Sequence, residues 1–458
     1  MIDPVILIVF FTAFFIISFS VILRRGDDLC ALAYLTLFIY TIFTQIVYVY
    51  YPELSQNIGG NNAYFGQRLF YDYWLFMFFS FFVSFLVYLL FTPLSHRKPL
   101  YRVKEKKAKA GRRIFYILVI MLIGAMVAMY LIRGDEIRYG GEDNPLINDW
   151  FAYGYRILVL VAVVLYARYR TLALSPSDKR MALLLFIISV IIIFQISIKG
   201  GVRSTLLYFA IGIGMFELHP FILNVKENKL KLLLACLFII PLLYILSTLE
   251  YVRSFVPTIT FQDFWQILPQ PGEVFSRSSD LPFFLLTRDY YIPSHSLFVA
   301  MAYDIVDLGE VIRSNVANMF VFLKYPTLGQ TIIGSYVDRS GDIGRNIGWS
   351  FHFFTEGYVA AGWVGIFYNA LVWNIGMYLW KRIASSENEK LNLIINALLA
   401  VMIVNAMRSP SYLLVKYIWL FLMPVMGLLF LSNGWYPVFL KRNVKQLSSK
   451  SVVLTRDG

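Results

Sequence analysis

The chain has 458 residues, of which 59% are hydrophobic and only 15% are charged, against roughly 25% charged residues in a soluble domain. Its mean hydropathy of +0.64 and its repeated apolar runs, each long enough to cross a bilayer, exclude an ordinary soluble domain and indicate a polytopic membrane protein. The net charge of +13 is typical of cytoplasmic loops that collect Lys and Arg. We therefore expect a lipid bilayer as partner and no nucleic acid.

The apolar runs predict an all-α fold with eleven membrane spans. The first run has no basic segment before it and no cleavage site after it, so we expect a retained helix and not a signal peptide. The spans divide the chain into residues 1–248 with eight spans, a large loop at 249–350, and residues 351–458 with three spans and a basic tail. The predicted spans are residues 4–23, 30–50, 70–92, 114–132, 151–167, 181–198, 204–222, 232–248, 357–380, 391–407 and 412–432.

Basic residues predict the orientation of these spans. The segment from His96 to Arg113 contains nine Lys or Arg and one Glu, as expected for a cytoplasmic loop. Counting spans in both directions from that segment places the N-terminus outside and the C-terminus inside. This orientation puts 26 of the 41 basic residues on the cytoplasmic side.

The loop at 249–350 is far longer than a connection between two helices needs to be, and long loops tend to be functional. Three stretches in it are apolar but too short to span: Leu281 to Leu286, Ser296 to Ala302 and Val316 to Leu323. They suit interfacial or re-entrant helices packed on the bundle.

A glycine turn between two apolar runs carries two cations, Lys199 and Arg203, on the predicted outer face. The paired glycines permit exposed backbone N–H groups, and Ser204 and Thr205 can cap a following helix whose N-terminus attracts anions. These features favour a phosphate-binding turn. The alternative is a turn with cations that snorkel to the interface.

Three further candidates lie in the long loop. Arg288 precedes Asp289, so it either binds an anion through its bidentate guanidinium or pairs at the surface. His295 is a candidate general base, because histidine titrates near neutral pH, or a structural histidine. Arg345 lies in a Gly-rich polar stretch and either binds phosphate and sugar or belongs to an exposed hairpin.

Glu356 stands at the outer start of the ninth span. The helix dipole alone favours a carboxylate there, but Glu356 is also a candidate to bind sugar or to take a proton from an acceptor hydroxyl. Gly362 and Gly365 in the same run would let another helix pack closely.

Cations also occur at the outer ends of spans. Arg408 precedes Ser409-Pro410 between the last two spans, Lys416 lies one turn into the last, and Arg156 lies inside the fifth. A cation within a membrane span is costly and usually functional, although near a span end it can snorkel to water.

Several classes of site are not indicated. The chain has two cysteines and four scattered histidines, without a disulfide framework or metal-ligand spacing. No P-loop, dinucleotide fingerprint or zinc-protease motif occurs. We therefore expect no metal and no cofactor.

The motifs together resemble the Wzy-type oligosaccharide repeat-unit polymerases, which include the O-antigen and enterobacterial common antigen polymerases. Gly200-Gly201-Val202-Arg203 is similar to the family's Gly-Gly-x-Arg turn, and Leu286-Thr287-Arg288-Asp289 is similar to the start of its large periplasmic loop. Glu356 with Gly362 and Gly365 resembles the opening of the helix after that loop. Arg408 with Ser409 resembles the basic turn between the last two helices.

The resemblance implies a GT-C-like glycosyltransferase of the bacterial inner membrane, in O-antigen or capsule polysaccharide biosynthesis. It would join oligosaccharide units carried on undecaprenyl pyrophosphate at the periplasmic face, and a chain-length regulator could be a partner. Arg203, Arg288 and Arg408 would bind pyrophosphate with assistance from Arg345 and Lys199. Glu356 or His295 would take the acceptor proton.

Two other functions remain open. An O-antigen ligase would share the fold class and differ in its acceptor. A flippase or transporter of lipid-linked oligosaccharide would predict charges buried in mid-span and repeated halves. The sequence displays neither an inverted repeat nor paired broken helices, and the odd span count and single large outer loop also disfavour this function.

Overall fold

The computed structural model describes most of the membrane helices and parts of the long loop. The described residues are 3–50, 67–95, 101–105, 109–134, 150–172, 175–200, 203–222, 244–245, 248, 261–267, 294, 296–320, 323, 325–332, 351–433 and 435–439.

Helices dominate the described residues. Some spans contain a π-helical or 3₁₀ turn, given in parentheses. The helices are α1 (Pro4–Arg24), α2 (Asp28–Tyr50), α3 (Gln67–Ser95), α4 (Lys109–Arg133), α5 (Trp150–Ala167, then a π turn at Arg168–Leu172), α6 (Pro176–Lys199), α7 (Arg203–Ile222), α8 (Phe261–Ile267), α9 (Leu308–Met319), α10 (Thr355–Ala361, then a 3₁₀ turn at Gly362–Val364), α11 (Gly365–Ala384), α12 (Glu389–Met407), α13 (Tyr412–Tyr417, then a π turn at Ile418–Leu422) and α14 (Met423–Asn433).

Nine helical segments of the described chain are long and apolar enough to cross a membrane, which confirms a multi-pass membrane protein. They are α1 to α6, the pair α10–α11, α12, and the pair α13–α14. The seventh predicted span corresponds to α7, whose described apolar part is Thr205–Glu217. The predicted span at 232–248 lies almost wholly outside the described residues, so the total of eleven stays a prediction.

Local sequence signals explain where several helices begin. Asp3 accepts a hydrogen bond from the Val5 backbone N–H and is followed by proline, as is Ser175, which accepts from Asp178 N–H. Asn388 accepts from Leu391 N–H at the start of α12. Capping side chains satisfy backbone donors of the first turn, and proline suits the first helical position.

The helix ends form two faces of the bundle, which we name after Asp27 and Glu356. On the Asp27 face, Lys381 binds Asp27 at 2.7 Å and Arg170 binds Glu217 at 2.8 Å. The same face carries a two-stranded antiparallel ribbon, β1 (Tyr101–Glu105) paired with β2 (Trp435–Phe439). Helical periodicity did not predict this ribbon, and the membrane helices themselves agree with the all-α prediction.

The centre of the bundle is α12. It packs along α7 and also contacts α2 and α5, and most of its side chains are buried. By contrast, α1 and α4 present rows of exposed apolar side chains, as does α11. Such rows are stable where lipid replaces water, so we assign these helices to the periphery of the bundle.

The span containing Glu356 is interrupted at Gly362. This residue has a φ of +57°, a backbone conformation that residues other than glycine rarely adopt. The interruption folds α10 onto the start of α11. A Cβ atom added to Gly365 would lie 1.8 Å from the Gly357 carbonyl oxygen. Gly365 therefore permits close packing within one interrupted span, whereas the sequence predicted packing of a separate helix.

Candidate anion site beside Glu356

Glu356 is 1% exposed and accepts hydrogen bonds from three residues. Its Oε1 atom accepts from Asn315 Nδ2 at 2.7 Å, from the Tyr368 hydroxyl at 2.5 Å and from the Ser411 hydroxyl at 2.7 Å. Its Oε2 atom accepts from the Ser411 backbone N–H at 2.5 Å. Four donors converging on one carboxyl group suit an ionised carboxylate, which only accepts.

The backbone around Glu356 is fixed by its neighbours. Asn369 on α11 accepts from the Gly357 N–H at 3.0 Å and donates to the Phe354 carbonyl at 2.7 Å. The Phe351 N–H donates to the Arg408 carbonyl at 3.1 Å. These contacts join the start of α10 to the end of α12, so Glu356 and Arg408 are held in one region of the same face.

His352 anchors the residues that lead into α10. Its Nδ1 accepts from the Phe354 N–H at 3.1 Å, and its Nε2 lies 3.2 Å from the Thr41 hydroxyl and 3.4 Å from the Leu37 carbonyl. Complete burial lowers the pKa of His352 to about 3, because desolvation disfavours the charged imidazolium. His352 therefore acts as a neutral structural residue here.

A cavity of about 120 Å³ opens beside this network, between α5, α7, α12 and the turn after α13. A cavity of this size can hold several water molecules or a small anionic group. We call it the basic cavity. Its polar lining is Tyr155, Arg156, Thr205, Tyr208, Asn405 and Tyr417.

Two cations near the basic cavity have no opposing carboxylate among the described residues. Arg156 makes a cation–π contact with Phe421 at 6.0 Å, and Lys416 makes one with Tyr412 at 5.6 Å. The two cations also repel each other electrostatically. In the described part of the chain, neither of them has a hydrogen bond or an ion pair with an acidic side chain.

The basic cavity and Glu356 are adjacent. Tyr412 follows Ser411, which binds Glu356, and Tyr412 lies within electrostatic range of both Glu356 and Arg156. Arg408 caps α12 and lies within electrostatic range of the cavity-lining Tyr417. Arg156 therefore lines a cavity that lies near the Glu356 network.

The N-terminal end of α7 also borders the cavity. This helix begins at Arg203, and Thr205 in its first turn contributes to the lining. Ser204 and Thr205 consequently lie inside the helix and not before it, which corrects the predicted capping position. The N-terminus of a helix favours anions because its first N–H groups have no helical partner.

The structure brings together some of the predicted site residues. Glu356 and Arg408 lie together, and Arg203 begins the helix at the basic cavity, although its side chain is outside the described residues. Lys199 ends α6 on the same face, but its Nζ lies 5.5 Å from the Tyr130 ring and does not line the cavity. Arg288, His295 and Arg345 lie outside the described residues.

Sequence reasoning treated Arg156 as a secondary candidate and did not identify Asn315, Tyr368 or Ser411. The signal for Arg156 was present, because it is a cation inside an apolar run. The partners of Glu356 carried no signal, since Asn315 is 41 residues and Ser411 55 residues away from it. In the described ranges, no three potential metal ligands converge.

Comparison with known proteins gives no relative. No family model matches the chain, no curated protein matches it and no solved structure matches it.

Proposed function

We propose that the basic cavity binds an anionic group at the membrane surface. The observation that carries this proposal is the pair Arg156 and Lys416, two mutually repelling cations within membrane spans, of which Arg156 lines the cavity. An uncompensated charge inside a span is costly, and a bound anion would offset both that cost and the repulsion. The N-terminus of α7, which borders the cavity, would also favour a bound anion.

We further propose that this anion is the diphosphate of an undecaprenyl-linked oligosaccharide, and that the protein polymerises such units. A lipid-linked diphosphate is the substrate implied by the resemblance to Wzy-type polymerases. It would present its headgroup at the ends of the spans, where Arg156, Arg408 and the start of α7 lie. In this proposal the Glu356 face is periplasmic, the Asp27 face and C-terminus are cytoplasmic, and the membrane is the bacterial inner membrane.

The reaction would transfer a growing chain to an acceptor unit. An acceptor hydroxyl oxygen would attack the anomeric carbon of the lipid-linked chain, the bond from that carbon to the diphosphate oxygen would break, and the lipid diphosphate would leave. Guanidinium groups would stabilise the charge that develops on the leaving oxygen. The acceptor proton would pass to Glu356 or His295.

Glu356 accepts three hydrogen bonds at Oε1 but only one at Oε2, so Oε2 retains a lone pair that could take the acceptor proton. Asn315 contacts the same carboxylate, and its own Oδ1 has no hydrogen-bond partner among the described residues. An acceptor hydroxyl could donate to that oxygen beside Glu356. The proposal therefore assigns acceptor binding to the Asn315 side of the network.

Binding can be tested with purified protein in nanodiscs and undecaprenyl pyrophosphate as the probe, with undecaprenol as the uncharged comparison. We expect the diphosphate to bind and the alcohol to bind far more weakly. Arg156→Gln and Lys416→Gln should each weaken diphosphate binding about tenfold, the equivalent of one charged hydrogen bond or about 1.4 kcal/mol.

Arg313→Gln is the matched control, because Arg313 is an exposed cation on the same face and outside the cavity. It should leave binding unchanged. Equal binding of the alcohol and the diphosphate, or equal losses in all three variants, would overturn the anion site.

The cellular role can be tested by the banding of surface polysaccharide in a deletion strain of the source bacterium. Loss of a polymerase leaves lipid A core with one repeat unit, loss of a ligase leaves bare core, and loss of a flippase leaves lipid-linked units on the cytoplasmic side. Restoration of long chains by the wild-type gene, and not by Arg156→Gln, is the expected result. If the deletion strain instead made bare core, the protein would be a ligase and not a polymerase.

A further inference from the structure

Helix α9 carries a continuous apolar stripe on its outside. Leu308, Ile312 and Val316 follow one another at intervals of four residues and are 51%, 54% and 53% exposed. Phe320, immediately after the helix, extends the line and is 40% exposed. A soluble surface rarely presents large apolar side chains in such a row.

The other sides of α9 have different environments. Val311, Ser314 and Asn318 are buried against the protein, and the Ser314 hydroxyl donates to the Pro326 carbonyl at 3.1 Å. Arg313 points to a third side and is 65% exposed. At about 100° per residue, the helix therefore has one apolar, one polar and one protein-facing sector.

The apolar stripe continues the lipid-facing surface of the bundle. A Cβ atom added to Gly362 would lie 3.8 Å from Val306, which precedes α9 and is itself exposed. Next to Gly362, Trp363, Val364 and Phe367 are exposed on the outside of the Glu356 span. This span crosses the membrane, so its exposed apolar side chains face lipid.

Length decides how α9 can meet the bilayer. Its 12 residues extend about 18 Å at 1.5 Å per residue, too short to cross the roughly 30 Å of hydrocarbon. A helix with one apolar sector, one charged sector and insufficient length lies in the plane of the interface.

We infer that α9 is an interfacial helix on the Glu356 face, with Leu308, Ile312 and Val316 in the hydrocarbon boundary of the bilayer. The partner of this surface is the lipid bilayer itself. Because Asn315 on the protein side of α9 donates to Glu356, contact with lipid holds the Asn315 side chain on that carboxylate. The inference does not depend on what the basic cavity binds.

Spin labels in nanodiscs test the position of the helix. Single cysteines would replace Ile312 and Val316 in the apolar sector, and Arg313 and Ala317 in the polar sector as controls. Labelling of the unchanged chain gives the background from Cys30 and Cys236, so neither native cysteine has to be replaced. The measurement is accessibility to oxygen, which concentrates in hydrocarbon, and to a water-soluble nickel complex.

We expect oxygen accessibility to exceed nickel accessibility several-fold at 312 and 316, with the reverse at 313 and 317. High nickel accessibility at all four positions would overturn the inference. Protection from both reagents at 312 and 316 would also overturn it, and dipolar broadening between labels on two molecules would then identify a second copy as the cover.

A second measurement tests the coupling to Glu356. Asn315→Ala should lower the thermal midpoint of the protein in nanodiscs. Ile312→Asp places a charge in the apolar sector, so α9 should leave the interface. In that background Asn315→Ala should lower the thermal midpoint much less. Val306→Asp is less suitable, since Val306 touches the Gly362 turn. An undiminished effect of Asn315→Ala in the Ile312→Asp background would show that lipid contact has no part in holding Asn315.

Discussion

Asn315 donates a hydrogen bond of 2.7 Å to Oε1 of Glu356, and this contact joins a short helix of the long loop to the start of a membrane span. Ser411, at the start of the last span, supplies two more donors to the same carboxylate. One buried side chain thus fixes the relative positions of α9, α10 and α13. The basic cavity borders this junction, so changes in the network should affect both stability and the cavity.

Tyr368→Phe tests how much the network contributes to stability. The substitution removes the 2.5 Å hydrogen bond to Glu356 and leaves the aromatic ring in place. A hydrogen bond to a charged group contributes about 1.5–3 kcal/mol, so we expect a clear fall in the thermal midpoint in detergent. Tyr378→Phe on the same helix is the control, because Tyr378 is 38% exposed, and a similar fall there would argue against a special role for the network.

Gly365→Ala should be strongly destabilising. The new methyl group would meet the Gly357 carbonyl at 1.8 Å, and overpacking of this kind costs about 1–3 kcal/mol or more when the backbone must move. Gly124→Ala is a matched control in a membrane helix, since nothing lies within 4 Å of its added Cβ. The measurement is the fraction of folded, monodisperse protein after heating, and equal behaviour of the two variants would contradict the proposed contact.

The membrane helices could be predicted from the sequence because a span is a local property, an apolar run of sufficient length. The end of α12 at Met407 coincides with the predicted end, whereas α6 begins at Pro176, before the predicted start at 181. The Glu356 network could not be predicted, since Asn315 and Ser411 are polar residues without a distinctive motif and far from Glu356 in sequence. The break at Gly362 could not be predicted either, because the sequence alone does not distinguish a glycine that permits close packing from one that interrupts a helix.

The predicted arginine cluster illustrates a further limit. The sequence favoured Arg203, Arg288 and Arg408 as a group. The described residues place the start of the Arg203 helix at the basic cavity, and Arg408 within electrostatic range of Tyr417 in its lining. Arg156 ranked below them because a cation near a span end can snorkel. Only the three-dimensional structure shows that Arg156 borders a cavity and faces another cation, Lys416.

On the Asp27 face, Asp178→Ala should unfold the protein far more readily than a change at an exposed pair. Arg168 is fully buried and binds Asp178 through two bonds of 3.1 Å. Loss of the carboxylate leaves a buried charge uncompensated, which costs about 3–5 kcal/mol. We expect a large fall in the thermal midpoint that the double variant Arg168→Met with Asp178→Leu partly restores.

Glu217→Gln provides the comparison for that prediction. Its partner Arg170 is 49% exposed, and exposed ion pairs contribute about 0–1 kcal/mol. The thermal midpoint should therefore change little. A larger effect at Glu217 than at Asp178 would mean that burial does not determine the strength of these two pairs.

The stability of the protein should depend on pH through His352. Its pKa falls from 6.5 to about 3 on folding, so between these values the unfolded state binds a proton that the folded state does not. Stability should therefore be highest above about pH 6.5 and should decline as the pH falls towards 3. His352→Gln removes the titrating group, so its thermal midpoint should fall less than that of the wild type between pH 7.5 and pH 5. The difference between the two declines is the measurement, because carboxylates and the other histidines contribute equally to both proteins. Parallel declines would mean that His352 is protonated in the folded state. The assignment of a neutral imidazole whose Nδ1 accepts from the Phe354 N–H would then be wrong.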